Sequence, residues 1–463
     1  MMLMKYRFGS VVRGAAAAVA ALPAHLPPPR SRLMLALLAA LAGGAAWAGD
    51  EHGAGPLGAD LPPGAQVQVV LQEHPLVQAA GAGVRMEEAN RDRLLAGPYE
   101  FTVTAATARR HDRTERTRTR EHEIGLERTF RLPGKAARDA EIGAAGVSEA
   151  RYALGDARHE TARLLLARWF DWQRAAAAVG DWQAQVDNLR LQREVAEKKV
   201  KLGEAARLDL LQAEAQLFQG EAELARMQNE QARLTVEWQQ NFPAIALPQE
   251  AVVVPPSPLP ADSVQHESWR TRLLEENHEL AVARGAARKS RLQAGRLDAD
   301  RLPDPSLGLA VARERDGAER VVGVQLSIPL PGAGRSADAR AGQAAAEAAG
   351  AREAQALLRA ESGARQTIQL ALSSYSQWQR LADVAQRLDE NLRLQEKAWR
   401  LGEGQFAELQ QTRRQAIEAR LAASRARLDA NEARYRLLLD MHALWPVADA
   451  PDAEAGAAAV HAH

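Results

Sequence analysis

The chain has 463 residues, 46% hydrophobic, 25% charged and 5% aromatic, with no cysteine. That excludes a disulfide framework, a thiolate metal site, a cysteine nucleophile and a lipidated N-terminal cysteine. The formal charge is zero, yet residues 1–48 hold Lys5, Arg7, Arg13, Arg30 and Arg32 and no acid; beyond them 54 basic residues face 59 acidic ones, the wrong balance for a nucleic-acid binder.

Arg30 and Arg32 precede an apolar run from Leu33 to Ala42, and small residues follow up to Ala46-Trp47-Ala48. This pattern predicts a secretory signal peptide over 1–48, cut after Ala48. The run falls short of the roughly 20 residues a spanning helix needs. A short N-terminal segment, 49–65, leads into a first repeat over 66–242. Leu71-Gln-Glu-His-Pro-Leu-Val77 opens a helix. The alternation of Phe101, Val103 and Ala105 with Thr102 and Thr104, and then of Ile124, Leu126, Phe130 and Leu132, predicts a strand pair within 100–132, each strand with one apolar face. Between them Arg109, Arg110, Arg113, Arg116, Arg118 and Arg120 form a basic loop, and His122 is expected in solvated loop structure.

From Ala137 to Val200 no proline interrupts the chain, which predicts a helix of about 90 Å. Gly203 then supplies a turn at the tip of a hairpin. The returning helix, Arg207 to Gln240, carries Leu210, Leu217, Leu224 and Trp238 on a heptad seam. Pro243, Pro248, Pro255, Pro256, Pro258 and Pro260 make 243–263 a linker that cannot be helical.

A second repeat, 264–446, follows the same plan. It begins with a helix over Ser268 to Arg301 and a strand pair within 306–330 (Leu307, Leu309 and Val311; Val322, Val324, Leu326, Ile328 and Leu330). A long helix from Ala337 to Arg400 leads to a turn at Gly402, and the returning helix has a seam of Ala416, Ala423, Ala430, Leu437 and Leu444. Trp172-Gln-Arg174 recurs as Trp378-Gln-Arg380, Asn188-Leu-Arg-Leu-Gln192 as Asn391-Leu-Arg-Leu-Gln395, and Lys201-Leu-Gly-Glu204 as Arg400-Leu-Gly-Glu403. Ordered matches at a period near 200 residues mark an internal duplication. The tail, 447–463, has the composition of a disordered segment. Trp169, Trp172, Trp182, Trp378 and Trp399 fall in long helices, where packing between helices is their expected use.

The expected fold class is therefore mainly α with a small β part. Four strands cannot close a barrel, so their apolar faces and two edges require another chain. No motif for catalysis, phosphate binding or metal binding is present, and the expectation is a non-enzyme with no cofactor and no metal site. His461 and His463 in the tail are at most weak metal ligands.

The segment Gly203-Glu-Ala-Ala-Arg-Leu-Asp-Leu-Leu-Gln-Ala213 resembles the helical-hairpin motif of TolC-like outer-membrane efflux proteins, in which an acid stands six residues after the tip glycine. The second copy keeps Gly402 and Glu408 but has Gln411-Thr412 where the first has Gln212-Ala213. The ordered, duplicated set covers Leu71 to Pro446. The resemblance implies a homotrimer whose twelve strands form an outer-membrane β-barrel, continued by a periplasmic α-helical barrel. It also implies a passive channel served by a periplasmic adaptor and an inner-membrane antiporter. Pro329-Leu-Pro-Gly332 after the last strand looks most like the heavy-metal branch, which implies metal cations as cargo. A channel for organic compounds or secreted protein, and more remotely a soluble periplasmic coiled-coil scaffold, are the competing readings.

The resemblance places Asp209 and Glu408 at the periplasmic aperture, with Glu204 and Glu403 widening a negative mouth and Arg207 as a basic partner. It gives the apolar strand face to outer-membrane lipid and the arginine-rich loop to lipopolysaccharide.

Overall fold

The computed structural model describes residues 58–445, apart from 112, 115, 261 and 402. The expected signal peptide and tail, with His461 and His463, lie outside the described residues, as does Gly402. Two short helices, α1 (Gly64–Glu73) and α2 (Pro75–Ala96), lead to strands β1 (Thr102–His111) and β2 (Arg118–Thr129). A hairpin follows, made of α3 (Pro133–Lys201) and α4 (Arg207–Asn241). The second repeat has α5 (Ser263–Glu275), α6 (His278–Ala299), β3 (Ser306–Glu314), β4 (Glu319–Ser327), α7 (Ala333–Arg400) and α8 (Phe406–Asp440). Among the described residues no helix is long and apolar enough to cross a membrane.

The helix expected over Ser268 to Arg301 is two helices. Asn277 breaks it, because its side-chain oxygen accepts the Leu280 N–H at 2.8 Å and restarts the chain as α6. Pro75 at the first position of α2 breaks the first repeat at the equivalent place, since proline has no N–H to continue α1. The long helices begin earlier than the expected Ala137 and Ala337, at Pro133 and Ala333, and run 69 and 68 residues, or about 100 Å each.

Close helix packing is set by glycines. A Cβ on Gly143 would meet the Arg91 Cα at 3.0 Å, and one on Gly285 would meet the Glu149 Cα at 3.3 Å. The N-terminal third of α3 therefore lies against α2 and α6. Further along, the α3 side chains of Val186 and Leu189 pack with Leu217 and Leu224 of α4. One long helix is thus flanked in turn by short ones. The largest core forms where α1, α3, α4 and α8 converge, around Leu71, Leu165, Trp169, Phe170, Trp238, Phe242, Leu428 and Tyr435. Trp169 donates to the Asp60 carbonyl at 2.7 Å and Trp172 to the Thr235 hydroxyl at 3.0 Å, so these two indoles pack and pair between elements.

The four strands form one antiparallel sheet in sequence order, β1-β2-β3-β4, so β1 and β4 are its edges. Register puts Val103, Leu126, Leu309 and Val324 in one row and Ala105, Ile124, Val311 and Val322 in the next. This face is exposed in the single chain: Val103 is 70% accessible, Ile124 65% and Val324 73%. The opposite face carries small and polar rows, such as Thr104, Gly125, Ala310 and Gly323. A one-residue slip would exchange the two faces, so the pattern fixes the register.

Candidate functional site: sheet, hairpin tips and the junction between them

Beyond the apolar rows the same sheet face turns basic. Thr107, His122, Arg313 and Arg320 make the next row, and Arg109 pairs with Arg120 in the one after. This corrects the expected loop from Arg109 to Arg120. Arg109 and Arg110 belong to β1, Arg118 and Arg120 to β2, and only Arg113 and Arg116 lie in the turn. His122 is likewise in a strand, its Nδ1 3.2 Å from the Thr107 hydroxyl. Arg110 pairs with Glu121 at 2.8 Å. Arg313 and Arg320, from the second hairpin, were not singled out in the sequence; only the register brings them level with the first.

At the other end of the apolar face, Arg128 lies 4.6 Å from the Phe101 ring centroid, so the one cation among the Leu126–Leu307 rows is held over an aromatic face. Phe130, past the end of β2, still donates its N–H to the Pro305 carbonyl at 2.9 Å. Leu132 does not belong to the strand: it is the N-cap of α3.

Where strands give way to helices, a buried polar network joins the two repeats. The Lys135 ammonium is 2.9 Å from Asp304 and 3.1 Å from Asp300, and donates to the Leu302 carbonyl at 2.5 Å. Asp304 also accepts from the Tyr99 hydroxyl at 2.8 Å and the Leu132 N–H at 3.1 Å. Asp139 pairs with Arg131 at 2.8 Å and Arg296 at 2.7 Å. Burial alone would raise the Asp304 pKa, but the Lys135, Leu132 and Tyr99 donors outweigh it and hold the carboxyl below its ordinary value. Asp300 is lowered likewise, burial being outweighed by Arg296 and Lys135. Sequence reading missed this network, since the contacts that join the two repeats link single residues more than 150 positions apart.

The opposite ends of the long helices form the tips. At the first, the Gly203 N–H donates to the Val200 carbonyl at 3.1 Å and the Glu204 N–H to the Lys199 carbonyl at 2.8 Å, with Gly203 at φ +76°. This paired closure needs a left-handed residue, which glycine adopts without strain. At the second tip the Glu403 N–H closes on the Ala398 carbonyl at 3.0 Å, the same bond one repeat on. Asp209 and Glu408 each fall in the first turn of the returning helix, where the helix dipole favours an acid. Asp209 is half-buried, while Glu204, Arg207, Glu403 and Glu408 are exposed. Among the described residues no ion pair joins Arg207 to Asp209 within one chain.

The two tips are held side by side. Lys199 Nζ sits 3.9 Å from the Trp399 ring centroid, and the buried Arg413 guanidinium donates to Gln192 of α3 and, at 2.8 Å, to Glu396 of α7. Arg413 was not singled out in the sequence: a lone arginine on a polar helix carries no signal until its partners are in place.

The arrangement, a duplicated strand pair running into two hairpins of about 100 Å, is a fold this chain shares with solved outer-membrane proteins. The chain superposes on the outer membrane protein VceC of Vibrio cholerae with a TM-score of 0.69 at 15% identity, covering 81% of this chain and 95% of that one. It is similar also to the outer membrane channel CmeC of Campylobacter jejuni (TM-score 0.65, 12% identity, 83% and 86% covered) and to CusC, a former of transmembrane channels (0.62, 17%, 81% and 92%). No family profile matches the chain, and no curated protein matches it in sequence.

Proposed function

We propose that the protein is the outer-membrane channel of a tripartite efflux system, passing cargo delivered by a periplasmic adaptor and a proton-driven inner-membrane pump. One observation carries this reading: the sheet has an apolar face left open to solvent and two unpaired edges. Three copies would close twelve strands into a barrel, removing the edges and giving the apolar face to lipid. Strands of 10, 12, 9 and 9 residues match the roughly 9–11 residues a tilted strand needs to cross a bilayer. The basic rows of Arg109, Arg120, Arg313 and Arg320 then meet the anionic headgroups of lipopolysaccharide. The small residues of the opposite face line the lumen.

The tips form the periplasmic aperture. Trimerisation brings three copies of Asp209 and Glu408 toward one axis, with Glu204 and Glu403 around them and Arg207 reaching the acids of a neighbouring protomer. Such a ring favours cations. Together with Pro329-Leu-Pro-Gly332 it supports metal cations as cargo. The test is a mass measurement of the detergent-solubilised protein, followed by single-channel recording of Asp209→Asn with Glu408→Gln. A trimer is expected, with cation preference lowered in the double variant. A stable monomer defeats the barrel; unaltered selectivity moves the constriction elsewhere and leaves organic cargo the better reading.

A further inference from the structure

Three imidazoles from distant parts of the chain meet at one point: His159 in the middle of α3, His278 at the start of α6, and His442 just after α8. One ligand nitrogen from each lies within 4.8 Å of the others. The ring centroids of His278 and His442 are 4.9 Å apart, and those of His159 lie 5.6 Å and 5.5 Å from them. All three are half-buried and border a cavity of about 30 Å³, which has room for one ion or one water.

The surroundings are those of a ligand set. His159 Nε2 is 3.2 Å from the Asp440 carboxylate, and His442 Nδ1 is 3.2 Å from Glu276. A carboxylate on one ring nitrogen fixes the tautomer and raises the basicity of the other, as outer partners do for metal-bound histidines. Gly155 makes room for the third ring: a Cβ there would lie 2.9 Å from the His278 Nδ1 and Cε1. Arg158 borders the same cavity, and the Asp440 carboxylate beside His159 also pairs with Arg163 at 2.8 Å.

We infer that His159, His278 and His442 bind one divalent transition-metal ion of the zinc class. Three neutral imidazoles with no thiolate suit Zn²⁺, Ni²⁺ or Cu²⁺ rather than a soft monovalent ion or a hard oxygen-seeking one. Nitrogens up to 4.8 Å apart draw together to distances of about 2.0–2.1 Å from the metal. The site ties the break between α5 and α6, and the end of α8, to the middle of α3. It is a staple between the two repeats, separate from the tips and the strand face. Nothing in the spacing of these histidines, 119 and 164 residues apart, marks them in the sequence.

The experiment uses the full-length, detergent-solubilised protein stripped with chelator and titrated with Zn²⁺ alone by calorimetry. Thermal unfolding with and without Zn²⁺ is followed in parallel. His461→Ala with His463→Ala provides the background, removing the tail histidines. One Zn²⁺ per chain is expected, with a raised unfolding temperature; His278→Gln should weaken binding at least tenfold and abolish the thermal effect. Should His278→Gln fail to fold, Gly155→Ala keeps all three ligands while displacing the His278 ring, and should weaken binding in the same direction. Absence of stoichiometric binding, or binding equally tight in both variants, overturns the proposal. Conductance is not read, so the channel proposal stands or falls separately.

Discussion

Lys135 is the test of whether the polar junction holds the strand pairs on the helices. Its side chain is 3% exposed and that of Asp304 2%, whereas Asp300 is 32% exposed. Lys135→Met keeps the length of the side chain and removes the charge, leaving the Asp304 carboxylate buried without its cation. Breaking a buried pair from one side typically costs about 3–5 kcal/mol. Here Asp304 retains the Tyr99 hydroxyl and the Leu132 N–H, and Asp300 retains Arg296, which sets the expectation at the lower end, about 3 kcal/mol. Asp304→Asn alone should also destabilise. The double variant should recover part of the loss, with a coupling of about 2 kcal/mol, because neither unpaired charge remains. Urea unfolding in detergent, followed by tryptophan fluorescence, measures all four corners of the cycle. A Lys135→Met cost below about 1 kcal/mol, or additivity within about 0.5 kcal/mol, would refute the assigned role.

The same network predicts a pH dependence. Asp304 and Asp300 have folded pKa values below the ordinary 3.8, so their contribution is complete above that value and is lost as pH falls through the lower folded values. The acid limb of a stability profile should flatten in Lys135→Met; an unchanged limb counts against the pairing. On the sheet, Leu126→Arg should impair insertion, at a cost of about 2–4 kcal/mol near the bilayer midplane, while Thr102→Arg on the opposite face is tolerated. Equal yields of folded protein from the two would contradict the assignment of faces. In the helices, Gly143→Ala should destabilise by about 1–3 kcal/mol, because its Cβ would meet Arg91 at 2.9 Å. Gly180→Ala, in the same helix but with nothing within 4 Å of an added Cβ, should stabilise by about 0.5–1 kcal/mol; thermal unfolding separates the two.

Whatever repeats along one element could be read from residue order alone. Proline-free runs of strong helix formers dictate the long helices, because helix is decided locally by propensity and period. Alternation gives each strand its apolar face, and the ordered matches around Gly203 and Gly402 expose the duplication. The helix breaks at Pro75 and Asn277 were not expected from the sequence, although both residues act within a turn of themselves. Tertiary structure decided what depends on charges far apart in the chain. Lys135 with Asp304, Arg413 with Gln192 and Glu396, and the meeting of His159, His278 and His442 each join elements that share no local pattern. Strand register likewise made a basic row of Arg313 and Arg320 beside Arg109 and Arg120, half of it from the other repeat. A single polar side chain has no period, so its partner is chosen only when the hairpins pack.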